Sequence, residues 1–236
     1  MSTETTTYLA MTAAEFTAAD PLPPHPAWMA CHFSAYSTGL SNCPMSLPEG
    51  AVLMVNDRTP IWYHDPARIL MQLQQMLEEF SLSGIVLDFQ RPNCWETEQL
   101  VGILTKELAC PVAVSEHYAK KFSCPVFLSP LPLYIPLGEH LRHWEGRDIW
   151  LEAICTGQVL TVNAEGCTEE ELLAQPSQEL PFEDPKLFCR YDFTVSKEKA
   201  VFTLYRSIRE LELLMEHAAS LGVSKCIGLY QQFFKK

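Results

Sequence analysis

The sequence predicts a single-domain α/β protein, a compact or degenerate (β/α)8 TIM barrel, and three observations carry that expectation. Short apolar runs recur near residues 29, 51, 84, 111, 125, 148, 188 and 226, the eight strands that such a barrel requires. Two of them, Ala51–Val55 and Gly84–Leu87, are apolar throughout and turn polar only at their C-terminal tips, the pattern of parallel strands buried on both faces. Neither Gly-x-Gly-x-x-Gly after the first run nor Gly-x-x-x-x-Gly-Lys anywhere is present, which disfavours a doubly wound nucleotide-binding sheet.

Taken in order, residues 1–27 read as a polar, Pro-rich lead-in whose ordered piece is Tyr8–Phe16, and residues 28–236 as the barrel domain. Trp28–Tyr36 is the first predicted strand, and Ala51–Val55, ending in Asn56-Asp57-Arg58, the second. Asp65-Pro66 supplies an N-cap and a first-turn proline to a helix with Ile69, Leu70, Leu73, Leu77 and Phe80 at helical spacing. Ser83-Gly84 closes that helix and the run to Asp88 follows at once. A second helix spans about Glu96–Leu108, with Leu100, Val101, Leu104 and Leu108 on one face. Cys110–Val114 and Cys124–Leu128 are short strands that share a Cys-Pro-Val opening, and Gly138–Trp144 is a short helix.

Asp148–Ile154 reads as a strand turned through Thr156-Gly157 into a hairpin with Val159–Val162. Thr168–Glu171 reads as a capped acidic helix start, broken by the Pro176–Pro185 loop. Leu187–Val195 is then a barrel strand, Ser196 caps a long helix to Leu221, and Lys225–Tyr230 is the last strand. The long helix carries Val201, Leu204, Ile208, Leu211, Met215 and Ala218 as its apolar stripe.

Composition narrows the partners. With 236 residues, 47% hydrophobic and 19% charged, the chain is an ordinary globular one, and a net charge of −12 disfavours nucleic acid and anionic membrane. Nine cysteines without a C-x-x-C pair fit neither a zinc site nor a short disulfide framework, so they read as reduced and mostly buried thiols. No basic, apolar leader opens the sequence, and a cytoplasmic protein is the expectation. Glu139, His140 and His143 share a predicted turn but have no third ligand at a defined distance, so no metal is expected; nor is any cofactor. Cys31-His32 reads as structural for want of a cation or helix N-terminus that would activate the thiol.

A barrel assembled in this way collects Asn56, Asp57, Asp88, Gln90, Glu116, His117, Glu152, Tyr191, Asp192, Tyr230 and Gln231 at its C-terminal mouth. The set is acidic, amide-bearing and aromatic, without lysine. It suits a neutral polyhydroxylated small molecule or oligosaccharide, whose hydroxyls pair with carboxylates and amides. Polar strand ends are also what any barrel shows where strands emerge into loops.

The segment from Ala51 to Asn93 resembles the core of glycoside hydrolase family 18, the chitinase-like barrels, where an apolar strand and an amphipathic helix precede Gly-Ile-Asp-Ile-Asp-Trp-Glu. Aligned on Gly84, the chain reads Gly-Ile-Val-Leu-Asp-Phe-Gln. The family's inner aspartate falls on Asp88, its aromatic on Phe89 and its catalytic glutamate on Gln90, while Val86 replaces the first aspartate. In this count the motif lies on the third strand, whereas the family carries it on the fourth. The resemblance implies the barrel and a carbohydrate-like ligand held without efficient hydrolysis, because glutamine has no titratable proton. Two alternatives stay open: an active glycoside hydrolase using Glu116 with Asp88 or Glu152 as its carboxyl pair, and a non-catalytic scaffold or interaction protein.

Overall fold

The computed structural model describes residues 5–59, 63–92, 94–163, 165–166, 168–173, 176 and 179–234. They form two compact units, one of Met1–Ser129, Gly146–Glu152 and Val223–Lys236, the other of Pro130–Glu145 and Ala153–Gly222.

In the first unit β1 (Thr6–Met11) leads through α1 (Ala13–Ala18) to β2 (Pro26–Phe33), on which the short β3 (Leu40–Ser41) lies antiparallel. Then come β4 (Val52–Asn56), α2 (Pro66–Phe80), β5 (Gly84–Asp88), α3 (Trp95–Glu107), β6 (Val112–Ser115), α4 (Glu116–Ala119) and β7 (Val126–Leu128). The second unit takes α5 (Leu137–Leu141) and a 3₁₀ turn (Arg142–Trp144) before the chain returns as β8 (Ile149–Glu152). It leaves again for β9 (Thr156–Asn163), β10 (Thr168–Leu173), β11 (Phe182–Asp184), β12 (Cys189–Val195), β13 (Lys199–Arg206) and α6 (Ile208–Ser220). Finally β14 (Lys225–Leu229) and α7 (Tyr230–Phe234) complete the first unit.

Eight strands of the first unit pair in parallel around a closed ring, in the order β1, β2, β4, β5, β6, β7, β8, β14 and back to β1. This is a (β/α)8-type barrel. Its interior is filled by Tyr8, Ala10, Ala27, Val52, Met54, Val86, Ala113, Phe127, Trp150 and Ile227. A second layer lies between the strands and helices and includes Leu53, Val55, Ile69, Leu73, Ile85, Leu87, Phe89, Leu100 and Leu104. Alternation along each strand sends neighbours into these two layers in turn, which is why the strands are apolar throughout. At the N-terminal end Lys225 lies 3.9 Å from the centre of the Trp150 ring and donates to the Ser83 carbonyl at 3.1 Å.

The helices obey their local sequence. Asp65 accepts from the Ala67 amide at 3.0 Å, Pro66 opens α2, and the left-handed Ser81 (φ 50°) ends it. Among the described residues no helix is long and apolar enough to cross a membrane.

Several expectations are corrected. The lead-in contains a barrel strand: Thr6–Met11 pairs with β14 and β2, so Gly84–Asp88 is the fourth barrel strand and not the third. The run near 188 is not in the barrel; β12 lies in a five-stranded antiparallel sheet of the second unit, ordered β10, β9, β13, β12, β11. The expected hairpin between Asp148–Ile154 and Val159–Val162 is absent, because β9 pairs with β10 and β13. Thr168–Leu173 is an edge strand, where acidic side chains face water without cost. Lys199–Arg206 is a strand, since Val201, Phe202, Thr203 and Tyr205 are β-formers, and the following helix begins at Ile208 with Glu210 accepting from the Ser207 amide at 3.1 Å.

Candidate functional site

A cavity of about 230 Å³ at the mouth of the barrel is lined by Ala10, Met29, Met54, Asn56, Asp57, Arg58, Asp88, Gln90, Glu152, Ile227 and Leu229. Strand alternation selects these side chains. Val86 fills the barrel interior, so Asp88 and then Gln90, each two residues further on, share its face. Phe89 points the other way, 5.3 Å from Phe33 and 6.5 Å from Tyr118 between ring centres. Trp150 and Glu152 share a face of β8 by the same parity, as do Ile227 and Leu229 on β14.

Side chains beneath the rim fix the backbone that presents it. The buried Asp57 accepts from the Gln90 amide at 3.0 Å with one carboxylate oxygen and from the Arg91 amide at 2.9 Å with the other. Asn56 donates to the Cys31 carbonyl at 3.1 Å and accepts from the Arg58 amide at 3.2 Å. Buried Ser115 donates to the Leu87 carbonyl at 2.9 Å and accepts from the Phe89 amide at 2.8 Å. The Arg91 guanidinium donates to the Arg58 carbonyl at 2.9 Å, and the Tyr118 hydroxyl donates to the Arg91 carbonyl. The Gln90 side chain, held over this frame, donates its amide N–H to the Asp88 carboxylate.

Two carboxyls in the cavity have unusual acidity. Burial and then the charge of Asp88 push Glu152 up to about 7. Asp88 is also raised, chiefly by burial; donation from Gln90 opposes this, the charge of Asp57 adds to it and that of Arg58 opposes it. The charge of Asp88, where present, resists ionisation of Glu152. Glu152 is half-protonated near neutrality and can give or take a proton there. Gln90 can do neither.

Of the residues picked out from sequence, Asn56, Asp57, Asp88, Gln90 and Glu152 meet in this cavity. Glu116 and His117 do not line it: β6 ends at Ser115, and both enter α4, with His117 exposed. Tyr191 and Asp192 lie on β12 of the second unit, where Tyr191 packs against Phe182 and Asp192 accepts from the Phe193 amide at 2.8 Å. Tyr230 and Gln231 belong to α7, and Tyr230 stacks on Phe234 with ring centres 4.8 Å apart. Arg58, Met29 and Ala10 were not picked out. Arg58 ends the tripeptide Asn56-Asp57-Arg58 that marked its strand tip, whereas Ala10 sits on the strand hidden in the lead-in. Among the described residues no three His, Cys, Asp or Glu side chains come together as a metal site. Of the described cysteines, Cys31, Cys189 and Cys226 are buried.

Neither a family model nor a curated protein matches the sequence. Solved structures do match the fold. The spore cortex-lytic enzyme SleL of Bacillus cereus aligns with TM-score 0.58 and 9% identity over 97% of this chain and 71% of that one. The C-terminal domain of a predicted chitinase from Desulfitobacterium hafniense DCB-2 aligns with TM-score 0.57 and 10% identity over 95% and 93%. SleL of Bacillus megaterium QM B1551 aligns with TM-score 0.56 and 8% identity over 95% and 70%. At such identities the likeness is one of fold, and the chain shares the barrel architecture of these proteins.

Proposed function

We propose that the barrel mouth binds a neutral carbohydrate-like ligand, a small polyhydroxylated molecule or part of an oligosaccharide, without efficient hydrolysis. The observation that carries this reading is the Gln90 amide in the mouth against Asp88, where the family 18 resemblance places its catalytic acid. An amide pairs with hydroxyls in both directions but supplies no proton, and general acid catalysis is typically worth about 10² to 10⁴ in rate. Carboxylates and amides in a lining that also holds Met29, Met54, Ile227 and Leu229 suit a ligand with both hydroxyls and an apolar face. Fold neighbours that bear the names of a cortex-lytic enzyme and a chitinase support the same ligand class by analogy.

One observation favours a second reading, hydrolysis with Glu152 as acid and Asp88 as its partner: Glu152 is held at about 7, where a general acid is most effective. Thermal unfolding with neutral oligosaccharides, including N-acetylglucosamine oligomers, separates the readings when paired with a product assay. Binding raises the midpoint, by the equivalent of about 2.7 kcal/mol at a hundred times Kd, and Asp88→Ala removes the rise. The wild type releases no product and Gln90→Glu gains release. Turnover by the wild type that Glu152→Gln stops establishes the second reading, and no shift with any sugar leaves a non-catalytic scaffold.

A further inference from the structure

Beside the barrel mouth, two cysteines approach each other across a tight return of the chain. Cys31 is buried in β2, Cys43 is partly exposed in the loop after β3, and their sulfurs are 3.9 Å apart. Three features impose the approach. β3 runs back along β2 with Ser41 opposite His32. Asn42 then adopts a left-handed conformation (φ 54°), which turns the chain inward. The Trp28 indole donates to the Asn42 carbonyl at 2.9 Å and ties the loop to the strand that carries Cys31.

We propose that Cys31 and Cys43 form a redox-active dithiol that closes to a disulfide by exchange with a low-molecular-weight disulfide. The Cys43 thiolate attacks one sulfur of the external disulfide, forming a mixed disulfide and expelling one thiolate. Cys31 then loses its proton to solvent and attacks the Cys43 sulfur, which expels the second small thiol; two thiols are oxidised and one disulfide is reduced. The division of roles follows from the environment. Cys43 is the more accessible, and the hydrogen bond from Cys31 lowers it from the ordinary thiol value against the opposing effect of burial. Cys31 is raised, by that same pairing and by burial. Burial raises Cys110, Cys155 and Cys189 to about 11 and Cys226 to about 12, which leaves little thiolate on them near neutral pH. The sulfurs need to close from 3.9 Å to a bond of roughly 2.05 Å, and Cys43 lies in a loop that can supply the movement.

The pair also touches the mouth. Asn56, which lines the cavity, donates to the Cys31 carbonyl, and Met29, also in the lining, lies in the β2 irregularity between Trp28 and Cys31. Closure therefore ties down the segment of β2 that carries Met29 and accepts from Asn56 of β4. The inference is independent of what the cavity binds.

The test is incubation of the native 236-residue chain with oxidised glutathione, followed by alkylation, digestion without reduction and mass spectrometry. The expected result is a peptide linking Cys31 to Cys43, no glutathione retained on either, and reversal by dithiothreitol. Cys31→Ser should trap one glutathione on Cys43, whereas Cys43→Ala should leave Cys31 unmodified. A lasting glutathione adduct on wild-type Cys43, a preferred link to another cysteine, or persistence of both thiols overturns the proposal. Mapping of the wild type decides it even where a variant does not fold.

Discussion

A glutamate at the tip of an apolar strand has little water to carry its charge, and burial accordingly raises the pKa of Glu152. Its folded value of about 7 lies above the ordinary 4.5, so its contribution to stability is fully present below about 4.5 and is lost as pH rises through about 7. The gap corresponds to about 3 kcal/mol at full ionisation. Glu152→Gln is therefore expected to stabilise the protein by up to ~3 kcal/mol at pH 8 and to leave it unchanged at pH 4, measured as paired denaturant midpoints. Equal differences at the two pH values would falsify the account. The sequence placed Glu152, Asp88 and Gln90 at strand tips because parity along a strand is local. It could not set the acidity of Glu152 and Asp88, which depends on burial and on Asp57, Arg58 and Asp88 meeting from different strands. Asp57 illustrates the same limit: it reads as a ligand group, but both its oxygens are engaged by the backbone of residues 90 and 91.

At the scale of elements, the eight strands were counted correctly for partly wrong reasons. Tyr8–Met11 was hidden by its polar, Pro-rich surroundings, while the run near 188 was as β-like as any barrel strand; only pairing, which is non-local, assigns one to the barrel and the other to the second unit. The helix expected from Ser196 failed because Val201, Leu204 and Ile208 fit helical spacing, yet the residues between them prefer strand. The fourth strand was legible down to its opening glycine, and the structure supplies the reason for that residue. A Cβ on Gly84 would lie 2.4 Å from Cη2 of Trp150 and 2.9 Å from the Pro111 carbonyl oxygen. Gly84→Ala should cost about 1 to 3 kcal/mol in urea unfolding. In a Trp150→Phe background, where the clashing ring atom is missing, the cost should be smaller; a double-mutant cycle with no coupling would show that the ring is not the obstacle.

For the whole molecule the decisive step is closure, and it draws on both ends of the chain. β1 and β14 pair over Thr6–Ala10 and Lys225–Leu229, and β14 also pairs with β8, so the last strand fills the gap between the first and the seventh. Without it two edges of a parallel sheet lie open, and buried Cys226 and Ile227 leave the strand-facing layers. Their sequence separation makes this pairing costly in loop entropy before its contacts form. A seven-stranded sheet with both edges open is therefore expected to be unstable on its own. A chain ending at Gly222 should lose the cooperative unfolding transition of the 236-residue chain, bind a hydrophobic dye at neutral pH and aggregate at micromolar concentration. Retention of the transition with an unchanged denaturant slope would show instead that seven strands suffice. Such a result would move the mouth's dependence on Ile227 and Leu229 from folding to ligand contact alone.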